Sequence, residues 1–282
     1  SGAGASFSKT SDKFYAAWPA NSGGITDPLT GGLLTRLGDV CVFALSRSAI
    51  GADIARWQAV RPVLNAVKLA GYIDDPDLSP WDWLRDEVLP LMPLEVQSSP
   101  EGVIPIVRQL DRRTVDATTR VDVGPDFSPD GPMTTISERV DLVNHASIRF
   151  AEDIADTQNR RTLTVQATVD TSDPDTFASP HALFSASRYG ERRSEITTRY
   201  VYDSASAGAI LQQQLRANCY PTVTRIYRAA PRWGWLEIGT ALLLTDTDIG
   251  LTDRLVEVIG RRWDGDAWLY NLAFDEDPLR ET

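Results

Sequence analysis

The sequence predicts an α+β protein whose last third, residues 194–275, forms a small antiparallel barrel or tightly curled sheet with one helix inserted between its strands. Large apolar side chains alternate with small or polar ones over residues 267–274, which is the period of a strand with one buried face. Before it, Asp264-Gly265 predicts a two-residue hairpin turn, because glycine accepts the positive φ of a type I′ turn. Apolar residues that recur every four positions within 204–218 predict the helix.

The strand signals of this third follow one another with short gaps. They cover residues 194–202, 222–228, 236–245, 254–263 and 267–274. The first strand is predicted to place four side chains on one face, namely Ile196, Thr198, Tyr200 and Tyr202. Asp203 supplies a cap at the start of the helix, and Pro221 prevents the helix from continuing.

The chain as a whole is predicted to consist of four segments. These are an extended arm over residues 1–32, a smaller α+β domain over 33–112, a connecting segment over 113–140 and the barrel-like domain over 141–282. The arm is rich in glycine and serine and has three large apolar groups, Phe14, Tyr15 and Trp18. Because three rings cannot form a core, we expect them to dock on a neighbouring surface, within this chain or on another copy.

The smaller domain shows both helix and strand signals. Asp53 and Ser79 are predicted to cap helices, the second of which would place Trp81, Leu84 and Val88 on one face. Further signals in this domain predict a buried element at 40–45, a strand at 64–73 (where a helix is the alternative) and a hairpin of 94–98 with 103–110. Beyond the connecting segment, within 141–282, the sequence also predicts extended stretches at 146–152 and 161–169.

Composition restricts the possible functions. The net charge of −11 argues against a surface that grips nucleic acid by neutralising phosphates, although it permits one past which nucleic acid slides. The sequence contains no apolar run of about 18 residues that would predict a membrane span. Cys41 and Cys219 stand far apart and are predicted to be buried free thiols.

No residue pattern predicts catalysis, a cofactor or a metal site. The two histidines, His145 and His181, have no neighbour at ligand spacing, and we interpret them as surface or hydrogen-bonded histidines. The aspartate groups are interpreted as turn residues; they lie at Asp74-Asp75-Asp77, Asp246/Asp248 and Asp264/Asp266. Trp57, Trp81 and Trp268 are predicted core residues, whereas Trp233 and Trp235 are predicted to be more exposed and are candidate interaction residues.

Motifs along the chain nevertheless resemble those of one family. In the last half these motifs are Leu142-Val143-Asn144, Arg188-Tyr189-Gly190, Gly239 before an apolar strand and the Asp/Gly loop 246–250. In the first half they are Gly38-Asp39-Val40, Asp53, Arg56-Trp57, Leu64-Asn65, the Tyr-Ile-Asp-Asp-Pro run 72–76 and Trp83-Leu84. In this order they resemble the tail-tip or baseplate hub proteins of tailed bacteriophages and of gene transfer agents. The chain is expected to be a fragment that lacks the family's N-terminal domain.

The resemblance implies a structural protein of the virion tail, assembled in the bacterial host cytoplasm, and not an enzyme. Hub proteins of this kind resemble closed trimers whose paired barrel domains form a ring at the end of the tail tube. The expected partners are further copies, distal tail or tube proteins and the tape-measure protein, and DNA is expected to pass through the ring without specific binding. Two alternatives remain: a tail-associated cell-wall hydrolase, which needs paired acids or a metal, and a carbohydrate-binding module, which needs exposed tryptophans.

Overall fold

The computed structural model describes residues 34–48, 50–70, 79–92, 94–99, 101–107, 120–135, 142–153 and 158–275. The predicted arm, with Phe14, Tyr15 and Trp18, lies outside these residues, as does the aspartate group at 74–77. The chain forms two compact units. The first comprises residues 1–107, 146–177 and 193–214, and the second comprises 108–145, 178–192 and 215–282.

Helices and short antiparallel strands alternate along the chain. The helices are α1 (Leu37–Arg47), α2 (Ile54–Leu64), α3 (Pro80–Trp83), α4 (Pro180–Tyr189) and α5 (Ser204–Asn218). The strands are β1 (Leu94–Ser99), β2 (Gly102–Val107), β3 (Arg120–Asp122), β4 (Phe127–Pro129), β5 (Thr134–Thr135), β6 (His145–Asp153), β7 (Gln158–Gln166), β8 (Thr176–Ala178), β9 (Arg193–Thr197), β10 (Thr222–Ala229), β11 (Ala241–Asp246), β12 (Leu251–Trp263) and β13 (Trp268–Asp275). The mixed α+β class predicted from the sequence is confirmed.

In the first unit, both predicted helix caps are confirmed. The Asp53 carboxylate accepts a hydrogen bond from Arg56 N–H at 3.2 Å at the start of α2, and the Ser79 hydroxyl accepts one from Asp82 N–H at 3.1 Å at the start of α3. These bonds satisfy amide groups that have no partner inside a helix. The buried element predicted at 40–45 is part of α1, whose residues are buried from Leu37 to Leu45.

The strand predicted at 64–73 is wrong over its described part, residues 64–70. Leu64 completes α2, and Asn65 N–H donates to Arg61 O at 2.9 Å, as in a continuing helical turn. Val67 and Leu69 are buried, but neither lies in a β-strand. The apolar run therefore reflects burial of an irregular segment, which periodicity alone does not distinguish from a strand.

The face predicted for the helix after Ser79 is confirmed at Leu84 and Val88 and is wrong at Trp81, whose place in the core is taken by Trp83. Trp83, Leu84 and Val88 are buried, whereas Trp81 is half-buried. The helix changes after Trp83 into a π-helical turn over Leu84–Val88 and a 3₁₀ turn over Leu89–Leu91. A π turn adds a residue to each turn, so side chains five positions apart share a face there.

The first unit also contains two antiparallel pairings that the sequence predicts. Strands β1 and β2 form a hairpin in which Leu94 faces Val107 and Ser99 faces Gly102. Strands β6 and β7, which contain most of the extended stretches predicted at 146–152 and 161–169, pair with each other within a four-stranded sheet of order β8-β7-β6-β9.

Helix α5 has the bounds predicted from the sequence. The Asp203 carboxylate accepts a hydrogen bond from Ser206 N–H at 2.8 Å, and Ala207, Leu211 and Leu215 are fully buried. The single face predicted for residues 196–202 is wrong at its end. Strand β9 ends at Thr197, Tyr200 and Val201 are both buried, and Tyr202 is exposed.

The core of the second unit lies against a curled seven-stranded sheet of order β3-β11-β12-β13-β10-β4, with β5 paired to β10. The pairings are antiparallel except for β3 with β11. Strand β12 contains two bulges, one opposite β11 at Thr252–Asp253 and one opposite β13 at Ile259, and bulges bend a sheet and increase its twist. Strands β3, β4 and β5 come from the segment that the sequence predicts as a connection.

Two local predictions in this sheet need correction. The turn before β13 is centred on Gly265 and Asp266, because Asp264 N–H donates to Ala267 O at 2.9 Å and so closes the hairpin one residue later than predicted. Gly265 has φ +74°, and Asp266 N–H donates to Asp264 O at 2.8 Å, which is the bond of a γ-turn centred on the glycine and not that of the predicted type I′ turn. Residues 236–240 form turns, and β11 begins at Ala241.

Candidate functional site

The Gly-Asp and Leu-Asn motifs of the first half of the chain meet between α1 and α2. Asp39 N–H donates to Asn65 Oδ1 at 3.2 Å, and Asn65 Nδ2 donates back to Asp39 Oδ1 at 3.2 Å. Arg61 Nε lies 3.5 Å from the same carboxylate oxygen. We call Gly38, Asp39, Arg61 and Asn65 the helix clamp. It fixes α1 against the end of α2 by a pair of reciprocal hydrogen bonds.

Glycine is required at position 38 by the close approach of the two helices. A Cβ atom there would lie 2.6 Å from the backbone oxygen of Arg61 and 2.7 Å from Asn65 Oδ1. We therefore expect Gly38→Ala to lower the free energy of unfolding by about 1–3 kcal/mol, although alanine is the better helix former. The matched control is Gly208→Ala in α5, where a Cβ has no neighbour within 4 Å and a gain of about 0.5–1 kcal/mol is expected. Urea denaturation measures both, and equal stabilisation by the two changes would contradict the close approach.

Trp57, from the predicted Arg-Trp motif, links α2 to the hairpin of the first unit. Its side chain is fully buried, and its indole N–H donates to Val103 O at 3.0 Å. Asp53 N–H donates to the same oxygen at 3.2 Å. The prediction that Trp57 is a core residue is confirmed, and its motif holds the start of α2 against the hairpin.

The Leu-Val-Asn and Arg-Tyr-Gly motifs of the second half meet around Asn144, which is 1% exposed. Its Oδ1 accepts from Arg192 N–H at 2.7 Å, and its Nδ2 donates to Gly190 O at 2.8 Å and to Ser185 Oγ at 3.1 Å. The Ser185 hydroxyl donates in turn to Cys219 O at 2.5 Å. We call these five residues the asparagine clamp. It holds both ends of the segment that leaves α4, where Gly190 adopts φ +76°.

The Asp246/Asp248 pair, predicted to be a turn, separates into a buried and an exposed residue. Asp246 is fully buried, and its Oδ2 accepts from Arg225 Nη1 at 2.8 Å and from the Tyr227 hydroxyl at 2.7 Å. Its Oδ1 accepts from Asp248 N–H at 3.2 Å, so the residue also begins the predicted turn. Interpretation as a turn residue alone was therefore wrong for Asp246. The available sequence signal was Arg225-Ile-Tyr227, whose first and last side chains lie on one face of a strand.

This buried triad makes stability sensitive to alkaline pH. Burial and then the hydrogen bond to Asp246 raise the pKa of Tyr227 above its ordinary value of about 10. The fold thus favours the protonated phenol. Its contribution is complete below pH of about 10 and is lost as the pH rises above that value, because the unfolded chain then releases the proton more easily.

We expect the denaturation midpoint to fall between about pH 10 and 12 and Tyr227→Phe to make that fall shallower. The exposed Tyr202→Phe is the control and should leave the fall unchanged. Urea titrations at several pH values measure the effect, and an identical pH dependence in wild type and Tyr227→Phe would exclude this origin.

One end of the seven-stranded sheet carries a ladder of aromatic rings. Neighbouring centroids lie 5.2–6.3 Å apart along Trp235, Trp233, Phe127, Tyr270, Trp268 and Trp263. The two ends of the ladder are exposed, Trp235 by 56% and Trp263 by 48%. Trp235 is exposed as the sequence predicts, whereas Trp233 is half-buried and Trp268, predicted to be in the core, is also half-buried. Trp263 was missed because it lies at the end of a long strand signal.

The two cysteines and His145 have the environments that the sequence predicts. Burial raises the pKa of the Cys41 thiol to about 12, and both Cys41 and Cys219 are buried thiols outside a disulfide, as predicted. His145 Nδ1 lies 2.9 Å from Glu191 Oε1, which agrees with the interpretation of a hydrogen-bonded histidine. Among the described residues, no three His, Cys, Asp or Glu side chains are grouped as metal ligands would be. Nor does that part of the chain contain a helix with the length and apolar character of a membrane span.

Comparisons with known proteins give matches among solved structures. No protein-family model and no curated protein matches the chain. The 43 kDa tail protein of prophage MuSo2 from Shewanella oneidensis is 13% identical, with a TM-score of 0.40 over 74% of this chain and 58% of that one. A tail protein from Neisseria meningitidis MC58 is 15% identical, with a TM-score of 0.42 over 75% and 59%.

A chain of the virion of a native gene transfer agent particle is 13% identical, with a TM-score of 0.43 over 82% of this chain and 48% of that one. The chain thus spans between about half and three fifths of the length of these structures. These structural neighbours are two phage tail proteins and a chain of a gene transfer agent virion.

Proposed function

We propose that the chain is a structural protein of a phage tail or of a phage-like gene transfer agent, and that it acts as a hub of the tail tip. One observation carries the proposal: the motifs on which the family resemblance rests come together in partly buried hydrogen bonds. Gly38, Asp39 and Asn65 fix one helix against another, and Asn144 fixes the backbone at Gly190 and Arg192. The residues that carry the resemblance therefore hold the framework of their units, which supports the proposal through the fold that they stabilise.

Within this proposal the chain forms a trimeric ring that closes the tail tube and lets the tape-measure protein and DNA pass. A threefold ring needs head-to-tail contacts, because isologous patches close only twofold pairs. The net charge of −11 supports passage of DNA, since an acidic wall repels phosphates. The segments 1–32, 33–112, 113–140 and 141–282 remain the proposed domain division. Phe14, Tyr15 and Trp18 of the arm are proposed to dock on another domain or copy.

Labelling of purified particles tests this function. An antibody against the chain should mark the tip end of the tail, and quantitative mass spectrometry should find three copies for each tip. Detection at the head, or absence from washed particles, would contradict the proposal.

A carbohydrate-binding module is the second candidate, because Trp235, in the turn before β11, and Trp263, at the end of β12, present exposed indole rings. Titration with host cell-wall polysaccharide decides between the two candidates. Quenching of tryptophan fluorescence that is lost in Trp235→Ser would favour carbohydrate binding, whereas unchanged fluorescence favours the structural role.

A further inference from the structure

The aromatic ladder ends in a surface that combines exposed indoles with arginines. We define the tryptophan–arginine end as Arg232, Trp235, Arg261, Arg262 and Trp263. Arg261 lies 5.4 Å from the centre of the Trp268 ring and donates to Leu236 O at 3.0 Å, so the rings beneath the surface are held in place. Exposed tryptophans on a rigid support are typical of interaction surfaces, because they bury a large area at a low entropic cost.

The charge of this surface differs from that of the whole chain. Arg228 pairs with Asp264 and Asp266 at the hairpin tip, and Arg232 pairs with Asp126. The exposed Glu237 follows Trp235 by two residues, so the four arginines of this region stand beside four carboxylates in a chain of net charge −11. Arg261 and the exposed Arg262 lie outside the ion pairs with the aspartates, and a partner with acidic and apolar groups would complement these two cations and the indoles.

A surface that combines acidic and apolar groups is present in the first unit of the same chain. We define the acidic loop as residues 169–177, with Asp170, Asp173 and Asp175 between two exposed apolar side chains. Val169 is 53% exposed and Phe177 is 47% exposed. Hydrogen bonds from Ser172 lower the pKa of Asp170, so this residue is charged at neutral pH. Arg161, 4.0 Å from Asp175, only partly neutralises the three carboxylates.

We propose that the acidic loop of one copy of this chain binds the tryptophan–arginine end of the next copy. The proposal rests on the hub function above and supplies the contact between neighbours. The two surfaces are different, so the contact is head-to-tail, which is the kind that generates rings. Apolar side chains lie on both surfaces and the charges are opposite, as in complementary protein interfaces.

The contact between two isolated copies should be weak. Each surface offers two half-exposed apolar side chains, far less than the ~800 Å² that each partner buries in a stable interface. We expect a dissociation constant of about 0.1–1 mM, and additional salt should weaken the contact because it screens exposed charges.

Sedimentation equilibrium of the chain up to millimolar concentration tests the proposal with two variants. The end variant is Trp235→Ser/Trp263→Ser, and the loop variant is Val169→Ser/Phe177→Ser. Each should associate at least tenfold more weakly than the wild type. An equimolar mixture of the two should form heterodimers and no larger species, because one intact contact remains in each mixed pair. Arg262→Glu, which leaves the aromatic rings in place, should weaken association at least threefold at low salt.

The matched control is Leu183→Ser/Phe184→Ser, which removes two half-exposed apolar side chains from α4 and should associate like the wild type. A wild-type chain that remains monomeric at millimolar concentration, an end variant that associates normally, or a mixture without heterodimers would overturn the proposed contact. Loss of polysaccharide binding in the end variant with normal self-association would also overturn it, in favour of a sugar surface. Immunolabelling of the particles tests the hub function separately, so a labelled tail tip with normal association of the end variant would reject this contact alone.

Discussion

Asp246→Ala is expected to lower the free energy of unfolding by about 3–5 kcal/mol, because it leaves the Arg225 guanidinium buried without a counter-charge. Arg225 is 14% exposed and Asp246 is fully buried, so water does not replace the lost carboxylate. The Tyr227 hydroxyl loses its acceptor at the same time. Urea denaturation followed by tryptophan fluorescence measures the change, and Trp233 and Trp268 lie against the same core.

The neighbouring Asp248→Ala is the matched control, because the Asp248 side chain is exposed and its backbone N–H remains able to donate to Asp246. A change within about 0.5 kcal/mol is expected there. Asp246→Asn keeps the size and an acceptor oxygen but removes the charge, so its effect should lie between the two. If Arg225→Met is added to Asp246→Ala, part of the lost stability should return, because no buried charge then remains unpaired. Equal effects of Asp246→Ala and Asp248→Ala would contradict the buried triad.

The second large effect is expected at Asn144. Asn144→Ala removes the side-chain acceptor of Arg192 N–H and the side-chain donor to Gly190 O. It also removes one of the two hydrogen bonds of the Ser185 hydroxyl. Asn144 and Ser185 are buried, whereas Gly190 and Arg192 are exposed, so water can replace part of what their backbone groups lose. A buried polar group left without a partner costs about 1–3 kcal/mol, and we expect a total loss of about 2–3 kcal/mol. Thermal unfolding by circular dichroism measures this loss.

Two further variants separate the bonds of the asparagine clamp. Asn144→Asp keeps the acceptor for Arg192 N–H but replaces the donor to Gly190 O by an oxygen, so it should recover only part of the stability. Ser187→Ala is the control on α4, since its hydroxyl bonds within the exposed surface of the helix to Phe184 O. If Asn144→Ala unfolds at the temperature of Ser187→Ala, the clamp does not stabilise the second unit.

A loss of stability at either clamp also bears on the proposed hub. The helix clamp and the asparagine clamp each hold the backbone within one unit. Substitutions of clamp residues should therefore reduce the amount of folded chain in particles. Variants at the tryptophan–arginine end should leave the folded chain intact and reduce assembly alone. The two kinds of variant thus separate folding from assembly in one experiment on purified particles.

Local signals in the sequence determined several elements of this protein. Helix α5 has its predicted bounds, and Asp203, Asp53 and Ser79 cap helices as expected. Strands such as β13 and the hairpin of β1 with β2 were also predicted. In each case the causes lie within a few residues: a side chain that reaches its own backbone, or a period that sets one face of a helix or strand. Such causes are visible in a sequence.

Tertiary structure alone decided the rest, because the partners lie far apart along the chain. Asn144 bonds residues more than 40 positions away, and Asp246 meets Arg225 across the strands of a sheet. The sequence marked Asn144 as part of a motif without giving its partners, and it placed Asp246 in a turn because aspartate is common there. Whether a polar side chain is buried depends on what the folded chain packs around it. The same holds for the exposed rings of Trp235 and Trp263, which are 28 residues apart in the sequence. The strands and turns of the second unit place these two ends of the aromatic ladder at its surface.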